Sequence, residues 1–206
     1  LQQLAEYYLN HIERIMQETG QNTYHLLGWS LGGVLSIEIA GMLEKRGVDN
    51  IKVYLLDAII EDEYLSKLMD TINMDELKQT YKKYQITRGY DESYIEKIIL
   101  LVNVEKYMIR LKNVGSILQT TRALLFKAML QDVGDISFQT PEAGRIHKYI
   151  HSLQYNNIDK VIAQLSNLKL VKVVDAYHKN IVQKESLIIS EIEAFNKTHF
   201  NSVDAA

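Results

Sequence analysis

"YHLLGWSLGGVLSIEIAGML", residues 24–43, is an apolar run in which one tryptophan, two serines and four glycines stand out. Its first part, "YHLLGWS", reads as a short buried strand. The continuation "LGGVLSIEIAGMLEKRG" (31–47) reads as a helix that stops at Gly47, with basic residues in its last turn. The run reaches the length of a membrane span, but Glu38, His25 and the serine and glycine positions interrupt it, which argues against one. The bend between the two elements falls at Ser30.

"GWSLGG" (28–33) fits the pattern G-x-S-x-G at a strand-to-helix turn. A serine on so tight a turn needs unusual backbone angles, and side chains two residues before and two after it would collide with neighbouring backbone. Gly28 and Gly32 are expected to remove those collisions, and Gly33 to let the helix pack closely. Trp29 completes the elbow. Ser30 then sits at a helix N-terminus, where free N–H groups and the helix dipole stabilise developing negative charge. The Leu31 backbone N–H is the first expected oxyanion donor. The plain alternative is a serine in a glycine-rich turn, and the strand before and helix after it favour a nucleophile.

Outward from this corner, "NIKVYLLDA" (50–58) is a second β-branched run of strand length. Strand, helix and strand in so short a span make a βαβ unit, hence a parallel sheet with a right-handed crossover. Upstream, Leu4, Tyr7, Tyr8, His11, Ile12 and Ile15 recur at helical spacing, with Gly20 as a stop. Downstream, 61–118 reads as three or four helices rich in Glu, Lys, Tyr and Ile. Strands follow at "RALLFKA" (122–128) and "LKLVKVVDA" (168–176), separated by a mixed stretch to about 167, with a last helix near 184–196. The fold class is α/β, a mostly parallel sheet flanked by helices, with a helical insertion between its second and third strands.

Length and composition fit one domain, or one domain with an insertion. The chain has 206 residues, 47% apolar and 24% charged, long enough to bury a sizeable core. A net charge of -3 with a pI near 6.1 leaves no basic footprint for nucleic acid. With no cysteine there is no disulfide framework, thiolate metal site or thiol nucleophile, which suits a cytoplasmic protein. The opening helix is amphipathic and charged, unlike a signal peptide. The chain does not begin with Met, and the expectation is that it is excised from something longer.

A serine nucleophile needs a base, and the base needs an acid to orient it. On an elbow of this kind the chain order is serine, acid, histidine, with each partner at the carboxyl end of a strand. His178, just past "LVKVVDAY", has that order and place. His11 and His25 fall in other elements, His147 and His151 in the mixed segment, and His199 near the end. For the acid, Asp57 closes "KVYLLDA" at the same sheet end as Ser30, although Asp there also suits a helix cap. Asp132 and Asp135 follow the third strand and compete with it. Asp175 lies three residues before the base on its own strand and is poorly placed to meet the imidazole.

With these residues in view, the chain resembles a type I thioesterase domain, the α/β-hydrolase release module of non-ribosomal peptide synthetases. The family's G-[WY]-S-x-G-G elbow corresponds to "GWSLGG", its following helix end to "LEKRG", and its "LLD" strand to "VYLLDA". A helical lid corresponds to 61–118, a strand to "LFKA" (125–128), and the histidine beyond the last strand to "AYHKNIV" (176–182). The resemblance favours Asp57 over Asp132, and so implies the triad Ser30, Asp57 and His178. It also implies one thioesterase domain over 1–206 that lacks its N-terminal segment, with a second oxyanion donor from a loop ahead of residue 1.

Two departures accompany it: that missing loop, and Ala176 where the family has glycine two residues before its histidine. The implied substrate is a peptidyl or acyl thioester on the phosphopantetheine of an upstream peptidyl carrier domain, with no cofactor or metal bound by the domain itself. Tyr81, Tyr84, Tyr90, Tyr94 and Tyr107, with Ile98, Leu101 and Met108, either line an acyl pocket or, as the simpler expectation, pack the lid helices together. Rival readings are a stand-alone editing thioesterase or carboxylesterase, and a catalytically silent binding module of the same fold.

Overall fold

The computed structural model describes residues 1–71, 117–131 and 141–197, with positions 73, 75, 76, 79, 82, 83, 86, 89, 91, 93–97 and 100. The elements in chain order are α1 (Gln2–Thr19), β1 (Tyr24–Trp29), α2 (Leu31–Lys45), β2 (Ile51–Leu56) and α3 (Glu63–Asp70). They continue with β3 (Arg122–Ala128), α4 (Pro141–Ser152), β4 (Leu168–Val173) and α5 (Glu185–Lys197). The strands form one sheet in the order β1-β2-β3-β4, and every pairing is parallel. Registers such as Trp29↔Leu56, Leu56↔Phe126 and Ala128↔Val173 bring the carboxyl ends of all four strands to one edge. In an open α/β sheet that edge is where ligands are met.

Strand alternation divides the core into two layers. Val53 and Leu55 of β2 face one side with Leu26, Ala123 and Leu125, against Ala5, Leu9, Ile37, Ala40 and Leu43 of α1 and α2. Tyr54 and Leu56 face the other side with Leu124, Phe126 and Val173, against Ile188 and Phe195 of α5 and Ile181 of the loop before it. β2 and β3 are almost wholly buried, as expected of central strands covered on both faces.

One expectation needs adjusting. The fourth strand stops at Val173 rather than running to 176, because the chain turns there. The Ala176 N–H returns to the Val173 carbonyl at 3.3 Å, and Val174 is 72% exposed. The stretch read as mixed contains a full helix, α4, which starts on the chain's single proline, the one residue that loses nothing at a helix's first position.

Of the expected insertion, α3 is a regular helix. Asp62 caps it by accepting from the Leu65 N–H at 2.8 Å, and also receives the Tyr149 hydroxyl, the Asn157 amide and Lys160. At the far side of the insertion, the Glu44 carboxylate takes the backbone N–H groups of Gln119, Thr120 and Thr121. Tyr81, Tyr84, Tyr90, Ile98, Leu101, Tyr107, Met108, Asp132, Asp135 and His199 lie outside the described residues, while Tyr94 is half-exposed. Among the described residues no helix is long and apolar enough to cross a membrane, and no group of three or more His, Asp or Glu is placed to hold a metal ion.

Candidate active site

The chain leaves β1 at Trp29 and enters α2 at Leu31 with a single residue between them. Ser30 takes φ 53° and ψ -122°, a conformation that side chains rarely adopt. Its N–H is held by the Leu56 carbonyl at 3.0 Å and its carbonyl accepts from Gly33 and Val34, so the strain is locked between β2 and the first turn of α2. A Cβ at Gly28 would lie 2.2 Å from the Gly32 carbonyl oxygen and 2.4 Å from the Gly33 nitrogen, both rigid backbone. A Cβ at Gly33 would lie 2.5 Å from that of Ala58, so this glycine sets how closely α2 sits on the chain after β2. The steric role expected of Gly32 is corrected: a Cβ there would meet nothing within 4 Å. It is the Gly32 backbone that crowds Gly28, and its own side-chain direction faces open space. Leu31 holds the first helical position of α2, where a backbone N–H has no acceptor within the helix.

Across the same edge, Asp57 and His178 meet Ser30. His178 Nδ1 stands 2.8 Å from Asp57 Oδ2, and His178 Nε2 stands 3.1 Å from Ser30 Oγ. A carboxylate only accepts, so Nδ1 carries the ring proton and Nε2 turns its lone pair to the serine hydroxyl. The Asp57 side chain is 13% exposed and that of His178 44%, an inner acid beneath an outer imidazole. The other aspartate near the histidine, Asp175, turns away to pair with Lys184 at 2.6 Å. His25 is taken by the Tyr54 hydroxyl at 2.7 Å, on the strand but not at its end.

Residues that pattern alone does not announce hold the acid in place. Asp57 Oδ1 accepts from the Ala128 N–H at 3.1 Å and the Asn156 side-chain amide at 3.2 Å, and the same amide reaches the Ala58 carbonyl at 3.1 Å. Asn156 is buried, and the Ile60 N–H bonds back to its carbonyl. Among the described residues, the non-glycines with positive φ are Ser30, Asp57, Asn156 and Asn157. Three of these are Asp or Asn, which tolerate that region best. The "NN" pair after a helix is the one signal of a left-handed turn here, and it carries no hint of which carboxylate it will face.

Charge accumulates around Asp57 too. Lys127 of β3 is buried and gives its ammonium to the carbonyls of Ile150 and Leu153 at the end of α4. Burial lowers its pKa, the Asp57 carboxylate works the other way, and Lys172 lowers it further. His151 is lowered likewise, by burial first and by Lys127 second, against the pull of Asp57. Ala176, in place of the family glycine, is fully buried against the second core layer and has no positive φ, so the methyl group fits without strain.

An all-parallel sheet with a strained serine between strand and helix, and a histidine and acid on later strand ends, is the arrangement of the α/β-hydrolases. NocB thioesterase domain, solved as a covalent complex with a fluorophosphonate nocardicin G analogue, superposes with TM-score 0.56 at 17% identity, over 92% of this chain and 73% of that one. Human thioesterase 2 superposes with TM-score 0.60 at 9% identity, over 99% and 84%. At such identities the likeness is one of fold. Residues 1–195 match the Thioesterase domain family, and the chain belongs to it; it is therefore a hydrolase-class domain. In sequence it is 26% identical over 196 residues to N-(5-amino-5-carboxypentanoyl)-L-cysteinyl-D-valine synthase of Amycolatopsis lactamdurans, spanning 91% of this chain and 4% of that protein.

Proposed function

We propose that this domain releases a peptidyl or acyl chain from a carrier protein, by hydrolysis or macrocyclisation, through an acyl-serine formed on Ser30. The observation that carries the reading is the unbroken series Ser30 Oγ, His178 Nε2, His178 Nδ1, Asp57 Oδ2 at hydrogen-bond distances. His178 takes the Ser30 proton as Oγ attacks the thioester carbonyl carbon. The oxyanion is received by the Leu31 N–H at the start of α2. The intermediate collapses, the carbon–sulfur bond breaks, and the departing thiol takes the proton from His178. Water, or an amine or hydroxyl of the bound chain, then gives its proton to His178 and attacks the acyl-serine carbonyl carbon; the carbon–Oγ bond breaks, His178 returns the proton to Ser30 Oγ, and the product leaves as an acid or a ring. Asp57 keeps the imidazole in the required tautomer throughout and stabilises its cationic form.

The substrate thioester arrives on the phosphopantetheine of an upstream carrier domain. Kinship to a peptide synthase and membership of the thioesterase family support this substrate class over a plain ester. The reading is tested in the intact protein with a fluorophosphonate probe and a panel of pantetheine thioesters and oxygen esters. Ser30 is expected to be labelled and thioesters preferred, with Ser30→Ala losing roughly 10⁴-fold or more in turnover. An unlabelled Ser30 favours a silent binding module, and a strong preference for oxygen esters favours a carboxylesterase.

A further inference from the structure

β1 and β4 lie at opposite ends of the four-stranded order, so the histidine that follows β4 must travel back over β3 and β2 to meet the serine that follows β1. At the usual strand spacing that is a traverse of about 14 Å. The returning segment is tied early by the Leu130 N–H to the Ala176 carbonyl at 2.8 Å, and it turns on itself where the Asn180 side chain accepts from the Tyr177 N–H at 2.8 Å. At the histidine itself, Trp29 makes two contacts from β1. Its Nε1–H donates to the His178 backbone carbonyl at 3.0 Å, and its ring lies over the His178 imidazole with centroids 5.4 Å apart and planes tilted by 32°.

Trp29 is half-exposed on β1, on the same face as Leu27, and among the described residues it belongs to neither core layer. A large aromatic there with both its polar and its π faces committed to one residue is not explained by core packing. We propose that Trp29 is a positioning residue for His178. Its N–H pins the backbone of the returning loop to the strand that presents Ser30, and its ring orients the imidazole and favours the cation formed when Ser30 gives up its proton. Among the described residues, the groups that face this imidazole are Asp57 from the end of β2 and Ser30 from the elbow, and Lys127 and His151 interact electrostatically with the same carboxylate. The inference rests on the serine–histidine–aspartate reading above and adds the residue that brings its histidine into range.

The test compares Trp29→Phe, which keeps an aromatic face and loses the donor, with Trp29→Leu, which loses both. Acylation by the fluorophosphonate and by a pantetheine thioester is followed in the intact protein as a function of pH. Loss of the donor alone is expected to slow acylation about fivefold, the equivalent of one hydrogen bond. Loss of the ring as well is expected to slow it further and to move the lower limb of the pH–rate profile down by about half a pH unit. Unchanged rates in both variants overturn the proposal. So does a fall in the thermal stability of Trp29→Leu with its pH profile unmoved, or a Trp29→Phe chain that fails to fold, since either makes Trp29 a packing residue. Failure to label Ser30 in the unsubstituted protein overturns instead the reading on which the proposal rests.

Discussion

The two halves of the candidate site are built on different plans. The nucleophile half is local: residues 28–33 hold Ser30 by backbone sterics, with Gly28 making room for the Gly32 and Gly33 backbone. The proton-handling half is assembled at a distance. Asp57, Asn156 and His178 come from three segments and are held by side-chain hydrogen bonds. The first plan tolerates almost no change of shape. The second tolerates shape changes but depends on each donor and each charge.

Three substitutions press on that contrast. The largest effect is expected on the assembled half. Asp57→Asn leaves the local shape intact but offers an amide where His178 needs a carboxylate, so the ring loses its working tautomer. Turnover should fall roughly 10⁴-fold with little change in melting temperature. A loss of less than tenfold would assign the acid elsewhere, with Asp132 and Asp135 the first to test.

Gly28→Ala probes the local half. The added methyl meets fixed backbone at 2.2–2.4 Å, so the elbow itself must move, at an expected cost of about 2–3 kcal/mol in stability together with loss of Ser30 labelling. Retention of both would show that the elbow yields more easily than its geometry implies.

The smallest effect is expected at Asp62, which ties the entry of α3 to Tyr149, Asn157 and Lys160 beside the Asn156 turn. Burial opposes its ionisation, but the Lys160 and Tyr149 hydrogen bonds and the Leu65 N–H outweigh it and hold its pKa well below the usual carboxylate range. Reciprocally, the Asp62 carboxylate pushes the Tyr149 hydroxyl up to about 12. A depressed folded-state pKa means that the stabilisation is complete above the ordinary carboxylate pKa and is lost as pH falls below it. Unfolding midpoints measured from neutral to acid pH should therefore decline less steeply in Asp62→Asn than in the unsubstituted chain. Parallel slopes would remove Asp62 from the account of how the assembled half is held.

The contrast also explains what could be read from the chain. β2 and β3 are legible as runs of apolar and β-branched residues because central strands of a parallel sheet are buried on both faces, whereas β1, at the end of the order, is buried on one face and still reads as an apolar run. β4 was expected too long, since Val174 and Asp175 continue the pattern although the chain has already turned. The elbow is legible because a tight strand-to-helix turn can be made by few residue types. Gly32 shows the limit of that reasoning: the pattern contains it, yet no clash in this structure demands it. Asn156 was missed because an asparagine pair signals a turn and not a partner. Trp29 stands in the motif, but its grip on a carbonyl 149 residues further on has no trace in local sequence.

The sequence by itself determined the strand–elbow–helix corner, the parallel sheet and the order in which Ser30, Asp57 and His178 occur at strand ends. These follow from steric and hydrophobic rules that act over a few residues. Only the tertiary structure decided which groups clasp which: Asn156 and the Ala128 N–H on Asp57, Trp29 on His178, and Tyr149, Asn157 and Lys160 on Asp62. Such contacts join groups that lie far apart in the chain, 149 residues for Trp29 and His178 and 99 for Asn156 and Asp57. Their specificity lies in distances across the carboxyl edge, and chain order does not encode those distances.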